Sequence, residues 1–135
     1  MTKKRFLERF ENYKLALKNI NETFDHIKKH GINKIYTMAL IQAFEMVFEL
    51  AWKTLKDYLE FEGINTDTPR ETLKTAFLRN IITDGDVWIE MMEARNKTSH
   101  TYREELANSI AFEITEKFIP LLNNLESILA GKTNE

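Results

Sequence analysis

The N-terminal part of the chain repeats apolar residues at alternating steps of four and three. These residues are Phe6, Phe10, Tyr13, Leu17, Ile20, Phe24 and Ile27. This spacing puts them on one narrow stripe of an α-helix, as in the seam of a coiled coil. We therefore predict a helix over residues 5–29 that ends at His30 and Gly31.

The next apolar run, over residues 33–61, predicts a second long helix of a different kind. Its apolar positions are spread around more than one side: Ile35, Met38, Leu40, Ile41, Phe44, Val47, Phe48, Ala51, Trp52, Leu55, Tyr58 and Leu59. A helix with this pattern lies at the centre of a bundle or is also buried against a second chain. Gly63 is expected to end it.

A third, short helix is predicted over about residues 70–79 by a helix-start signal. Thr68 suits the capping position and Pro69 the first helical position. Glu71 lies three residues after Thr68 and completes the pattern of a capping box.

A fourth helix is predicted to follow, with Thr83 or Asp84 as its cap, and to fray near Arg95 or Asn96. Four of its apolar residues are expected to face inward: Val87, Trp88, Met91 and Met92.

The last helix is predicted to extend over residues 102–129. The segment TYRE suggests its start, because Thr101 and Glu104 have the spacing of a capping box. Pro120 should kink or split the helix, because a proline lacks the backbone N–H that the helix needs. Gly131 is expected to end it.

Composition favours the same helical interpretation. Of the 135 residues, 43% are apolar and 30% are charged, as in ordinary folded domains. The 4 Gly and 2 Pro are few for a turn-rich β fold. We predict one domain over residues 1–135, an all-α antiparallel bundle of four to five helices. The absence of Cys excludes disulfides, thiolate metal sites and a Cys nucleophile.

The sequence shows no sign of targeting to a membrane. Its basic start, MTKKRFLERFENYK, lacks the apolar run of a signal peptide. No apolar stretch approaches the roughly 20 residues of a membrane span, so we expect a cytoplasmic protein with no membrane partner. The net charge of −2 gives no general support for nucleic-acid binding, and an RNA partner would need a local basic patch.

Residues 95–103 provide such a patch, and we call them the cationic segment. They include Arg95, Lys97, His100 and Arg103 and no acidic residue. On one continuous helix Arg95 and His100 would lie about 140° apart, whereas a turn between two helices lets them converge. The helix after the turn would add free backbone N–H groups, so phosphate is the expected ligand.

Simpler interpretations exist for this segment and for two other features. Ser, Thr and Asn are common turn and cap residues, and a single His near a helix end is usually a surface residue. His26 and His30 have a spacing that suits a metal, but no carboxylate or third His clearly completes a site, so no metal is predicted. Trp52 and Trp88 could stack on bases. Their helical spacing among apolar residues favours core or dimer contacts instead.

The motif RNKTSHTY fits the Arg-x4-His-x-Tyr signature of HEPN domains, with the polar Asn96 directly after Arg95. Three longer segments resemble the nucleotidyltransferase substrate-binding proteins, a HEPN branch that includes HepT-type toxins: residues 40–64, 68–77 and 84–102. The resemblance extends over roughly residues 5–128, and no signature position departs from it.

The resemblance implies a helical homodimer in complex with a small nucleotidyltransferase that is usually encoded beside it. Many HEPN proteins are metal-independent endoribonucleases in which Arg and His of both protomers face one cleft, here Arg95 and His100. In HepT-type toxins the partner acts as antitoxin and transfers AMP to the signature Tyr, here Tyr102. Other members of the branch are described only as substrate-binding subunits. The alternative function is therefore a non-catalytic subunit that binds nucleotide or substrate.

The residue types of the cationic segment suit RNA cleavage. His100 can accept or donate a proton near neutral pH, and the fork of Arg95 can hold two phosphate oxygens. Asn96 could position the phosphate or the His, while Lys97 and Arg103 add positive charge for RNA. One His per chain is too few for both proton transfers, so a dimer makes chemical sense. We expect 2′,3′-cyclic phosphate and 5′-hydroxyl products, without a cofactor.

Overall fold

In the computed structural model, which describes residues 2–135, the first two helices form an antiparallel pair. They are α1 (Thr2–His30) and α2 (Lys34–Phe61), and three residues join them. Arg9 Nε donates to Asp57 Oδ2 at 3.0 Å, where α1 begins and α2 ends. At the other end of the pair, His26 Nε2 lies 3.0 Å from the hydroxyl of Tyr36. Gly31 allows the turn between the helices, because its φ of 82° favours a residue without a side chain.

The apolar stripe predicted for α1 is the side that the helix buries. Phe24 is half-buried, and the rest of the stripe is buried: Phe6, Phe10, Tyr13, Leu17, Ile20 and Ile27. The prediction of this helix is confirmed, although α1 begins at Thr2 instead of residue 5. The stripe faces α2 and the C-terminal helix, since Tyr13 donates its hydroxyl to the carbonyl of Leu122 at 2.6 Å.

α2 is the central helix, and its broad apolar surface follows from that position. It packs against α1 and against three later helices. By length and composition alone it could cross a membrane, with a mean hydropathy of 1.2 over 18 residues, of which 44% are buried inside the fold. The expectation that no stretch is long and apolar enough to cross a membrane was therefore wrong. A central core helix can be as long and as apolar because its side chains face protein on several sides.

The third and fourth helices are α3 (Pro69–Leu78) and α4 (Gly85–Lys97). The predicted cap of α3 is confirmed, because Glu71 N donates to Thr68 Oγ1 at 3.2 Å. The carboxylate of Glu71 accepts from the backbone N–H of Asp67, one residue before the cap. Asp84 precedes α4 in a left-handed conformation and makes no side-chain cap bond. Trp88, Met91 and Met92 face inward as predicted, and Val87 is half-buried.

The C-terminal part is one long helix with a widened turn. α5 (Glu104–Glu113) passes through a π turn (Ile114–Phe118) into α6 (Ile119–Ala130). Pro120 lacks an N–H, and its ring would clash with a carbonyl one turn earlier in a regular helix. The wider turn accommodates this proline, so the predicted kink or split takes the form of a π turn. It brings Phe118 onto Phe44 of α2, with ring centroids 5.5 Å apart.

These elements form an all-α bundle, as predicted. Residues 2–135 contain no β-strand and make five helices when α5 and α6 are counted as one. α3 and α4 pack against α2, as do α1 and α5, while α6 packs against α1. The link between α4 and α5, where the cationic segment lies, remains at the surface.

Candidate functional site

The cationic segment connects α4 to α5 through a short 3₁₀ turn, Thr98–His100. The predicted helix start at Tyr102, with Thr101 as its cap, is wrong. Thr101 is buried, and its hydroxyl donates to the carbonyl of Thr98 at 2.9 Å. Because the 3₁₀ turn uses this hydroxyl, α5 begins two residues later, at Glu104, after Arg103, which makes no side-chain cap bond.

Arg95 lies in the last turn of α4, half-buried against two carboxylates of α2. Its Nη1 is 3.4 Å from Glu45 Oε2, and its Nε is 3.5 Å from Glu49 Oε1. The Nε atom is shielded from solvent and has no hydrogen-bond partner within residues 2–135. The prediction of an acid-free patch holds for residues 95–103 but is wrong in space, because α2 supplies both acids.

Thr98 links Arg95 to one of these carboxylates. Its hydroxyl accepts from Arg95 Nη1 at 3.2 Å and lies 2.8 Å from both Glu45 Oε2 and the Arg95 carbonyl, to which it can donate. Thr98 is itself buried, with 5% of its surface exposed. We call Glu45, Thr98 and Arg95 the arginine tether, because these contacts orient the guanidinium before any ligand arrives.

Sequence reasoning missed the two acids and the threonine of this arrangement. A weak signal was present, because Glu45 and Glu49 are four residues apart and so share one face of α2. Thr98 follows Arg95 by three residues, which is also a helical neighbour. What the sequence did not reveal is that these two pairs meet, since about 50 residues separate them.

His100 and Tyr102 lie beyond the tether and are exposed to solvent. The hydroxyl of Tyr102 is 3.5 Å from His100 Nδ1, and the two rings are nearly perpendicular with centroids 6.0 Å apart. Tyr102 is 78% exposed. No hydrogen bond within the described chain joins Arg95 to His100, so one protomer presents them as two separate groups.

The other three predicted site residues, Asn96, Lys97 and Arg103, are also exposed. Across residues 2–135 their side chains form no hydrogen bond or ion pair. They flank the arginine tether and His100, and they are available to an external ligand. The segment therefore offers one oriented guanidinium, one accessible imidazole, one accessible phenol and two free cations.

The features with simpler interpretations behave differently. Trp88 is 1% exposed and is a core residue, while Trp52 is half-buried and donates to Glu49 Oε2 at 3.2 Å. The rings of His26 and His30 are tilted by 38° with centroids 4.4 Å apart, and Tyr36 meets His26 edge to face at 5.0 Å. In the described part of the chain no set of three or more His, Asp or Glu side chains is placed to hold a metal.

The fold and the motif define a class: a helical bundle that carries Arg-x4-His-x-Tyr at the junction of two helices. A family model described as "Nucleotidyltransferase substrate binding protein like" matches residues 8–130. The match covers most of the sequence, and the chain belongs to this family.

Similarity to known proteins agrees with this assignment. A curated protein of Haemophilus influenzae, described as probable ribonuclease HepT, is 36% identical over 84 residues. The matched part spans 58% of this chain and 58% of the length of that relative.

Solved structures share the whole fold. A Haemophilus influenzae protein described as a substrate binding domain of a nucleotidyltransferase has a TM-score of 0.80 at 27% identity, over 90% of this chain and 98% of that chain. A Thermus thermophilus protein has a TM-score of 0.73 at 28% identity, over 91% and 99%. A tri-AMPylated Shewanella oneidensis HEPN toxin, solved with its MNT antitoxin, has a TM-score of 0.74 over 93% and 96%. At 14% identity, that last likeness concerns the fold alone.

Proposed function

We propose that this protein is a HEPN-type, toxin-like endoribonuclease that a partner nucleotidyltransferase silences. The observation that carries the proposal is the combination of a tethered Arg95 with an exposed His100 a few residues away. Because the guanidinium of Arg95 is already held in place, RNA binding does not have to order it. The imidazole of His100 is exposed and therefore accessible for proton transfer. The relative described as a probable ribonuclease supports the activity, and the fold shared with a HEPN toxin supports the setting. We place the pair in the cytoplasm, without a membrane partner.

The proposed reaction is transesterification followed by release. The 2′-hydroxyl of the RNA attacks the adjacent phosphorus while its proton passes to one His100. The bond from phosphorus to the 5′-oxygen breaks, and a second, protonated His100 gives its proton to that oxygen. The products are a 2′,3′-cyclic phosphate and a 5′-hydroxyl. Arg95 stabilises the charge that develops on the phosphate oxygens, and Asn96, Lys97 and Arg103 hold the flanking RNA.

Two His100 side chains require a homodimer, and α2 offers a face for one. Ile35, Met38 and Met46 are large apolar residues that are 76%, 41% and 51% exposed on this helix. Met46 and Arg95 line the same shallow depression along α2. A second copy packed on this face would cover apolar surface and bring two cationic segments to one cleft.

Adenylylation of Tyr102 is the proposed route of silencing. The phenolic oxygen attacks the α-phosphorus of ATP, a new phosphorus–oxygen bond forms, and pyrophosphate leaves while the phenol proton passes to solvent or to a base of the partner. The exposure of Tyr102 supports access by a second protein. A phosphodiester at this position adds negative charge beside His100 and opposes RNA binding.

The second candidate function is a non-catalytic subunit that binds nucleotide or substrate for the nucleotidyltransferase. The family description and the Haemophilus influenzae structure described as a substrate binding domain favour it. This candidate requires the cationic segment to bind phosphate without cleaving RNA.

The deciding experiment is RNA cleavage by the purified homodimer, free of partner and with Tyr102 shown to be unmodified by intact mass. The assay contains EDTA and compares the wild type with His100→Ala and with His30→Ala, an exposed histidine at the end of α1. We expect cleavage by the wild type and His30→Ala and none by His100→Ala. Cleavage that persists in His100→Ala contradicts the proposed mechanism. No cleavage of several RNAs by the clean wild-type dimer favours the non-catalytic subunit.

A further inference from the structure

A groove of about 830 Å³ lies beside Tyr102, and the arginine tether has no part in it. Its walls are the C-terminal end of α1, the start of α2 and one side of α5. The volume lies within the range of about 300–1,000 Å³ that small-molecule sites usually have. Tyr102 itself lines the groove, so any group attached to its hydroxyl starts at the edge of this space.

The walls combine apolar and hydrogen-bonding surface. Phe112 lines the groove and is 66% exposed, so its ring can stack on a planar ligand. Asn33 accepts from the backbone of Tyr36 with its carbonyl oxygen, which leaves the amide N–H groups for a ligand. Asn108 is exposed and forms no side-chain hydrogen bond within residues 2–135. Amide groups of this kind can pair with the edge of a nucleobase.

The charge of the groove suits a single phosphate. Lys34 is the one cation among its lining residues and Glu104 the one acid. Lys34 forms no ion pair in the described chain, so it can offer its full charge to a phosphate oxygen. A purely apolar helix of a partner would leave these polar groups without partners, whereas a nucleoside monophosphate satisfies them.

We infer that this groove holds the adenosine of the AMP attached to Tyr102. The inference rests on the proposed function, since it takes adenylylation as the source of the ligand. With the nucleoside seated, the phosphodiester stays next to His100, whose Nδ1 is 3.5 Å from the phenolic oxygen. The groove therefore holds the AMP group in one position, where it blocks access of RNA to the imidazole of His100.

The first test measures binding of free AMP to the unmodified dimer by calorimetry, which depends on neither cleavage nor adenylylation. The variants are Phe112→Ala and Asn108→Ala, with Leu15→Ala as control. Leu15 is 67% exposed, matching Phe112, and lies on α1 away from the groove. We expect the wild type and Leu15→Ala to bind AMP alike and Phe112→Ala to bind about tenfold more weakly, because it loses a stacking contact.

The second test uses dimer that the partner has labelled on Tyr102 with a fluorescent etheno-adenosine monophosphate. Iodide should quench the fluorophore several-fold less in the wild type than in Phe112→Ala. Equal quenching, AMP binding that Phe112→Ala leaves unchanged, or a groove that a second copy covers and closes to AMP would each overturn the inference. If the partner does not modify Tyr102, the proposed silencing fails, while the AMP titration still decides whether the groove is a nucleotide site.

Discussion

Two regions of the molecule differ in the surroundings of their polar side chains. One is the contact between α1 and α6, and the other is the cationic segment. Between α1 and α6, the buried hydroxyl of Tyr13 has a backbone partner, and the half-buried Asn21 and Asn123 exchange two hydrogen bonds. In the cationic segment, Lys97 and Arg103 lie at the surface and their side chains form no hydrogen bond or ion pair within residues 2–135. The exposed His100 lies 3.5 Å from the hydroxyl of Tyr102, which is itself exposed. Core polar groups thus serve folding, and the groups of the segment are available for chemistry.

Burial also changes the acidity of a core group. Desolvation raises the pKa of Tyr13 well above its usual value, and the nearby charge of Glu126 raises it further. Tyr13 therefore stays protonated and keeps its bond to Leu122 across the physiological pH range. A core hydroxyl of this kind is fixed in one role, whereas Tyr102 is free to react.

The largest effect on folding should come from the core. Phe44→Ala removes a fully buried ring that stacks on Phe118, and we expect a loss of about 3–5 kcal/mol in the free energy of unfolding. His100→Ala should change this free energy by less than about 0.5 kcal/mol, because its side chain is exposed. Urea denaturation of both variants measures the difference. A comparable loss in both would mean that the segment supports the fold.

Within the arginine tether, the largest effect on activity should come from Arg95. Arg95→Ala removes the oriented guanidinium, and we expect the rate constant for RNA cleavage to fall about 100- to 1,000-fold. Arg95→Lys keeps the charge but loses the fork, so it should recover only part of the rate. Arg79→Ala, an exposed arginine at the end of α3, is the control. Equal loss in this control would point to general electrostatics as the cause.

Thr98 links the cationic segment to Glu45 of α2, and its replacement should affect both stability and activity. Thr98→Val keeps the shape but leaves Glu45 and Arg95 without a buried hydroxyl partner, at a cost of about 1–3 kcal/mol in unfolding free energy. Thr23→Val, which removes a hydroxyl bonded to its own helix, should cost less than about 0.5 kcal/mol. The cleavage rate of Thr98→Val should also fall, since the guanidinium loses its orientation. An unchanged cleavage rate would mean that the hydroxyl of Thr98 is not needed to orient Arg95 for cleavage.

The smallest predicted effect concerns the charge of Glu45. Glu45→Gln keeps an acceptor for Thr98 but removes a negative charge near Arg95, so KM for RNA should decrease about two- to fivefold. The matched control is Glu11→Gln, which makes the same change in net charge on the exposed surface of α1. If both variants lower KM equally, the carboxylate of Glu45 has no specific influence on Arg95.

Local signals in the sequence predicted most of the fold. The stripe from Phe6 to Ile27 and the cap at Thr68 act over a few residues, and the structure contains both. The capping box at Thr101 failed because two local motifs competed, and the 3₁₀ turn bound the same hydroxyl. Sequence spacing does not reveal which of two such bonds is the more favourable.

The motif named candidate residues for the site but not their surroundings. Arg95, His100 and Tyr102 stay predictions as site residues, and the last two are exposed. The position of Glu45 next to Arg95 and the groove beside Tyr102 both result from contacts between helices that are distant in the sequence. A periodicity argument describes one helix at a time, so such contacts lie beyond its reach.

The π turn at Ile114–Phe118 has a consequence for how this chain tolerates insertions and deletions. Its extra residue shifts the angular register of α6 against α5 by about 100° relative to an uninterrupted helix. α5 directs Asn108 and Phe112 to the groove, while α6 directs Leu122 and Leu125 to the core. Deleting a single residue in the π turn would rotate these two leucines out of the core. One covalent helix thus presents two angular frames, and the extra residue of the π turn sets the angle between them.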